Sequence, residues 1–354
     1  MGKQITKRFG LLSIILFFTA VLLAGCGAND QSGAVNGEDG GNAAETELNG
    51  NEEAGENGNN NNDPDNSAND GAVDGEGPFP VTIIDDAGKE ITIEEEPESI
   101  ISIQASNTEI SYALGLGDKM IGVSDFCNYP EEALSVEKVG GQDMNAELIL
   151  SLLPDIVLVT TYHHENHEEI LKQYEEAGMD VIVIGDKSSF DEVYESIELV
   201  GKATGTSEEA EAVIADMQER HNTLKEKAEE ITDKKKVWVE VSPAPDIFTT
   251  GQGTFMHEML ESINAENAAA DQEGWVMLTE EEIVTLNPDV IITTYHTEDL
   301  QAEVASRDGW AEVSAVKNEE IFDVDTDTVV RPGPRLIEGV EELAKLIYPE
   351  VFGE

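Results

Sequence analysis

Four of the six histidines in this sequence fall in two short stretches that share four letters. Thr160 to His163 reads Thr-Thr-Tyr-His and runs on into His164, Glu165 and His167, while Thr293 to His296 repeats the same four residues. Neutral imidazoles beside a carboxylate form a donor set for Zn²⁺, or ligate cobalt or haem iron from one side. On that chemistry the His163, His164 and His167 cluster would serve a two-lobed metalloenzyme. Yet His163 and His164 are adjacent, and a loop offers no preset geometry. Solvated histidines at the rim of a site, with no metal held, are therefore the expectation. Met144 is another soft donor, for which core packing is the simpler role.

The repeat is longer than its histidines. ELILSLLPDIVLVTTYHHE, 147–165, aligns with EEIVTLNPDVIITTYHTE, 281–298, with ten identities and one gap in the strand. Each copy reads as a short helix, a Pro-Asp pair and an apolar strand that ends in the shared letters. In parallel α/β sheets, ligands bind beyond the carboxyl ends of strands. Two lobes facing each other would put the copies on opposite walls of one cleft, a favoured place for a ligand. Tyr162 and Tyr295 are then better candidates than the histidines for touching that ligand.

The surrounding pattern supplies such lobes. VTIIDDAGKEITI, 81–93, reads as a hairpin, after which short apolar strands alternate with amphipathic helices. SEEAEAVIADMQERHNTLKEKAEEI, 207–231, has no Pro or Gly, opens on a Ser-x-x-Glu-like cap and keeps apolar residues at helical spacing. The fold expected is α/β, with two lobes that are each a mainly parallel sheet flanked by helices, bridged by one long helix. Lobe boundaries fall at 79–206 and 233–354, with the bridging helix over 207–232.

Ahead of the body, Lys3, Lys7 and Arg8 precede the apolar run Leu11 to Ala24, which has the length of a signal-peptide core. The run closes on Leu-Ala-Gly-Cys at Cys26, similar to the lipobox of bacterial lipoproteins. Residues 1–25 are thus expected to be removed and Cys26 to carry lipid, anchoring the chain to the outer face of a membrane. Residues 27–78 contain no Lys, Arg or aromatic side chain and read as a disordered acidic tether. Cys127 is then the only other cysteine, so no internal disulfide is available and a buried thiol is expected. A net charge of −55 argues against nucleic acid or anionic lipid as partners of the body. Such acidity suits a saline or alkaline habitat.

From Phe79 onward the chain resembles ABC-transporter substrate-binding proteins built around one rigid interlobe helix, which capture cobalamin, ferric siderophores or haem. The stretches that carry the resemblance are IISIQASNTEISYALGLGDKMIGVS, ELILSLLPDIVLV, FTTGQGTFMHEMLESINAENAAAD, EEIVTLNPDVIITT and RPGPRLIEGVEELA. The second lobe is most similar to the cobalamin binders, through Phe248 and through Trp275 six residues before Glu281. The resemblance places Phe126, Phe248 and Trp275 at aromatic corrinoid contacts, with Tyr162 near another. It implies that Glu147 and Glu281 dock the lobes onto arginine pockets of a two-fold permease driven by an ATPase, with Glu280 or Glu282 as stand-ins for the second. It also implies a monomeric Gram-positive lipoprotein whose bound molecule is cargo, not a cofactor. All three tryptophans lie in the second half, unlike many cobalamin binders. Arg331, in RPGPR, could meet a ligand phosphate or carboxylate, while Arg335 suits a neighbouring helix acid. No Gly-x-Ser-x-Gly elbow, His-Glu-x-x-His or P-loop is present, so a binding protein is expected rather than an enzyme.

Overall fold

The computed structural model describes residues 77–353, so the signal segment, Cys26 and nearly all of the tether lie outside the described residues. A hairpin of β1 (Val81–Ile84) and β2 (Glu90–Ile93) opens the body. Then come β3 (Ile100–Ser102), α1 (Ala105–Ala113), β4 (Met120–Val123), α2 (Ala146–Leu152) and β5 (Ile156–Thr160). They are followed by α3 (Thr161–Asn166), α4 (Glu168–Glu176), β6 (Asp180–Ile184) and α5 (Phe190–Thr204). These strands form one parallel sheet in the order β4-β3-β5-β6.

After α6 (Ser207–Ala228) the pattern restarts with β7 (Lys236–Glu240), β8 (Phe248–Thr250), α7 (Phe255–Ser262), β9 (Glu266–Asn267) and β10 (Trp275–Met277). It continues through α8 (Glu280–Leu286), β11 (Val290–Thr293), α9 (Leu300–Ala305), α10 (Ser314–Lys317), β12 (Ile321–Asp323), α11 (Thr326–Val330) and α12 (Leu336–Ile347). The second parallel sheet has the order β12-β11-β7-β9, and β8 with β10 makes a separate antiparallel ribbon.

Period-two alternation divides each sheet between two cores. In the first sheet Ile100, Ile156, Leu158, Ile182 and Ile184 enter a core that continues through α5 and α6 to α12. Their neighbours Ile101, Val157, Val159, Val181 and Val183 turn to a separate cluster of the first lobe. The second sheet does the same, with Val237, Val239, Val290 and Ile292 in the shared core and Trp238, Ile291 and Ile321 behind. Burial on both faces explains why these strands read as unbroken apolar runs.

Along α6 the buried residues Ala210, Met217, His221, Leu224 and Ala228 form one stripe at helical spacing. The expected serine cap is absent: Thr206 is the N-cap and makes no side-chain cap bond, while Ser207 already lies in the helix. Polar contacts brace the two lobes directly. Glu109 of α1, nearly fully buried, accepts from Arg331 Nη1 at 2.6 Å and from Arg335 Nε and Nη2 at 2.9 and 2.7 Å. Asn128 donates to Asp327 at 2.7 Å, and the Phe190 amide donates to Glu258 at 3.0 Å. Arg220 of α6 grips Glu341 of α12 through two bonds of 2.9 and 3.0 Å.

The helical part of the repeat is matched closely. Both α2 and α8 have seven residues, carry Glu147 or Glu281 second, and end on a left-handed residue with φ of 46°, Leu153 or Asn287. The aspartate of each Pro-Asp pair then anchors the edge of a neighbouring strand. Asp155 accepts from the Glu98 and Ser99 amides, and Asp289 accepts from the Lys236 amide.

Candidate ligand-binding site

The contacts Asn128–Asp327 and Glu109–Arg331 follow strand C-termini in both lobes, so the carboxyl ends of the two sheets converge on one seam. Large apolar side chains stand exposed beyond those same ends. Phe126 follows β4 and Tyr162 follows β5; Phe248, Trp275 and Met277 belong to the ribbon that follows β7. All five are between 40 % and 69 % exposed, which is far from core behaviour.

The ribbon arranges its three residues by register. Met277 pairs with Phe248, and Trp275 lies two residues before Met277, so all three point to one face. Met277 was not foreseen, although its two-residue spacing from Trp275 was the signal. Its polarizable thioether suits a flat aromatic or macrocyclic ligand.

On the first lobe, Phe126 rests against Gly141. A Cβ there would stand 2.7 Å from the ring, so glycine is what lets the ring lie down. The loop carrying Gly141 is held by the histidines. TYHHEN is helical rather than a loop, and His163 is buried in it rather than solvated at a rim. Its Nδ1 accepts from the Thr160 amide at 3.3 Å and contacts Thr160 Oγ1 at 2.8 Å. Its Nε2 donates to the Gly141 carbonyl at 3.0 Å, and His167 Nε2 donates to the Gln142 carbonyl at 2.9 Å. Burial holds the His163 imidazole below its ordinary pKa, opposed by the Gly141 carbonyl and reinforced by His167. The Tyr162 ring stands edge-on to both imidazoles, with centroids at 5.7 and 5.8 Å. His164 is exposed. The cluster therefore shares no common metal-facing point, and a metalloenzyme built on it is not supported. Met144 packs against the first-lobe core, and buried Cys127 lies 3.1 Å from Thr108 Oγ1.

Two expected ligand contacts are engaged elsewhere. Tyr295 hydrogen-bonds Glu240 through its hydroxyl and accepts from Arg307 at 3.2 Å, turning toward that buried pair within the second lobe. Glu240 is fully buried and takes both terminal nitrogens of Arg307, at 2.9 and 2.7 Å. Burial, and then the Glu240 carboxylate, raise the Tyr295 phenol. Arg331, expected to meet an anionic ligand, is taken up by Glu109, Asp327 and Asn128, whereas Arg335 has the acid partner expected of it. Arg335 also lies over the Tyr129 ring at 4.0 Å, at the edge of a cavity of about 700 Å³ beside α6.

Glu147 and Glu281 are exposed at the first turns of α2 and α8. Glu282 closes a capping box with Thr279, whose amide and hydroxyl it accepts at 2.8 Å each, so its carboxylate is already employed.

Residues 100–328 match the profile of the family described as periplasmic binding protein. The chain is 50 % identical over 279 residues to the "Uncharacterized ABC transporter substrate-binding lipoprotein YvrC" of Bacillus subtilis, covering 78 % of this chain and 88 % of that one. It is 29 % identical over 252 residues to a "Vitamin B12-binding protein" of Vibrio cholerae, covering 70 % and 87 %. Among solved structures, a possible iron-binding (periplasmic solute-binding) protein from Staphylococcus epidermidis superposes with a TM-score of 0.66 at 32 % identity, covering 72 % of this chain and 100 % of that one. With a profile spanning most of the chain and a half-identical relative over most of its length, this chain belongs to the periplasmic binding protein family, whose members bind solutes and are not enzymes.

Proposed function

We propose that the protein is an exported, lipid-anchored receptor that captures cobalamin or a related corrinoid between its lobes and hands it to an ABC importer. Residues 79–206 and 233–354 act as the two arms and 207–232 as the strut between them. The observation that carries this is the set of exposed flat and soft side chains beyond both sheets: Phe126 and Tyr162 on one side, Phe248, Trp275 and Met277 on the other. Rings of this kind cover a large planar ligand at small entropic cost. The vitamin B12-binding relative supports the same ligand class, and the YvrC name supports the lipid anchor at Cys26 and the transporter partner. Every arginine among the described residues is already ion-paired, which weighs against a carboxylate-rich ferric siderophore. Haem, a flat macrocycle, is the second reading and uses the same walls.

Titration with cyanocobalamin, haemin and ferric siderophores, followed by tryptophan fluorescence, tests the ligand. Trp238 and Trp310 are buried, so quenching should vanish in Trp275→Phe. Cyanocobalamin should bind with Kd below about 10 µM, roughly −7 kcal/mol; failure to do so while haemin binds would select the second reading. Docking is tested separately. Glu147→Lys with Glu281→Lys should abolish uptake and leave ligand affinity intact, and surviving uptake removes both residues from that role.

A further inference from the structure

We infer that His163 and His167 are positioning residues for the first-lobe wall of the cleft, fixing Phe126 through the Gly141–Gln142 backbone and Tyr162 through ring contacts. The inference rests on the cleft being the ligand site. Its parts form one connected chain. Thr160 orients the His163 ring through Nδ1, which leaves Nε2 as the donor to Gly141, and the Gly141 backbone is the surface against which the Phe126 ring lies. His167 ties the next carbonyl, on Gln142. Two consecutive carbonyls of a glycine-rich loop are thus fixed to α3 and its end. A Gly-Gly pair without such ties would be free to wander, because glycine constrains the backbone least.

The same two rings meet Tyr162 edge-on and leave it exposed toward ligand. Neither histidine needs to touch the bound molecule. Each acts by pre-ordering groups that do, which lowers the ordering cost of binding. Ligand discrimination on this lobe would then depend on residues that a contact survey of the complex would miss.

The test has two arms. In the full-length protein without ligand, labelled with 4-fluorophenylalanine, the Phe126 resonance is assigned from Phe126→Leu. His163→Ala should shift and broaden it, as should Gly141→Ala, which places a methyl against the ring without touching the histidine. Trp275→Ala should leave it unchanged. With cyanocobalamin as probe, His163→Ala should weaken binding about ten-fold, but no more than about two-fold in a Phe126→Ala background. Its effect should multiply independently with Trp275→Ala. His163→Gln, which can still donate to the Gly141 carbonyl, should recover part of the loss. If His163→Ala does not fold, Gly141→Ala and His163→Gln carry both arms. An unmoved Phe126 resonance, or independent losses for His163 and Phe126, overturns the inference. Absence of cyanocobalamin binding to the unaltered protein would overturn the corrinoid reading alone, since the fluorine arm needs no ligand.

Discussion

The two Thr-Thr-Tyr-His segments are identical in letters and opposite in outcome. In the first, Tyr162 is exposed and His163 buried; in the second, Tyr295 turns inward and His296 is exposed. The strands that lead into them differ by one residue. β5 has five residues and β11 four, so the same letters begin one step later after the Pro-Asp pair in the first copy. Thr160 shares the parity of Ile156 and Leu158, which face the shared core, whereas Thr293 shares that of Ile291, which faces away from it. That offset puts the first threonines on opposite faces of their sheets. Beyond them the backbones part, since Tyr162 and His163 lie in helix α3 whereas Tyr295 and His296 follow β11 outside any helix. Counted from Pro-Asp without a gap, Tyr162 corresponds to His296, and both are exposed. Backbone context, rather than identity in the alignment, decides which residue meets solvent.

The contrast can be broken most severely in the second copy. Arg307→Leu leaves Glu240 buried without its charge partner and should cost about 3–5 kcal/mol, read as a lowered urea midpoint. Next comes the pair of tyrosines. Tyr162→Ala should weaken cyanocobalamin binding about ten-fold with little change in stability. Tyr295→Phe should do the reverse, losing about 1 kcal/mol of stability and changing affinity less than two-fold. If both tyrosines affect affinity equally, the inversion between the copies has no functional meaning.

Acid should then separate the histidines. His163 faces Thr160, Gly141, His167 and Tyr162, with no carboxylate among its contacts, and its folded pKa lies below the ordinary value. As pH falls below about 6.5, the unfolded chain takes up the proton first, so the stability due to neutral His163 is lost down to its lowered folded pKa. The stability difference between the unaltered protein and His163→Gln should therefore shrink over that window, while deprotonated conditions above it leave the difference constant. The smallest effect belongs to His296, an exposed residue paired with Asp323 at 2.7 Å. His296→Ala should not measurably move the unfolding midpoint.

Much of this was legible from residue order. The lobes, the bridging helix and the matched α2 and α8 follow from apolar period, cap residues and the repeated Pro-Asp pair. Phe126, Phe248 and Trp275 came from the family resemblance rather than from periodicity, and they stand exposed beyond the strand ends. What could not be read was long-range pairing. Arg331 and Glu109 lie 222 residues apart, and Glu240 and Arg307 lie 67 apart. Nothing local distinguishes a buried arginine–carboxylate pair from a free arginine awaiting ligand. The faces of Tyr295 and His163 were hidden for a related reason: the same letters enter a helix in one copy and an irregular segment in the other.

The brace formed by Glu109, Arg331 and Arg335, with Asn128–Asp327 beside it, has a kinetic consequence. A receptor whose arms are tied by buried charge should need no slow opening step before encounter. Its capture rate should rise in direct proportion to ligand concentration, without the plateau that a gated receptor shows, and stopped-flow mixing would reveal a ceiling if one existed. Under scarcity such a receptor is limited only by how often ligand arrives. Selectivity must then reside in how long each visitor stays.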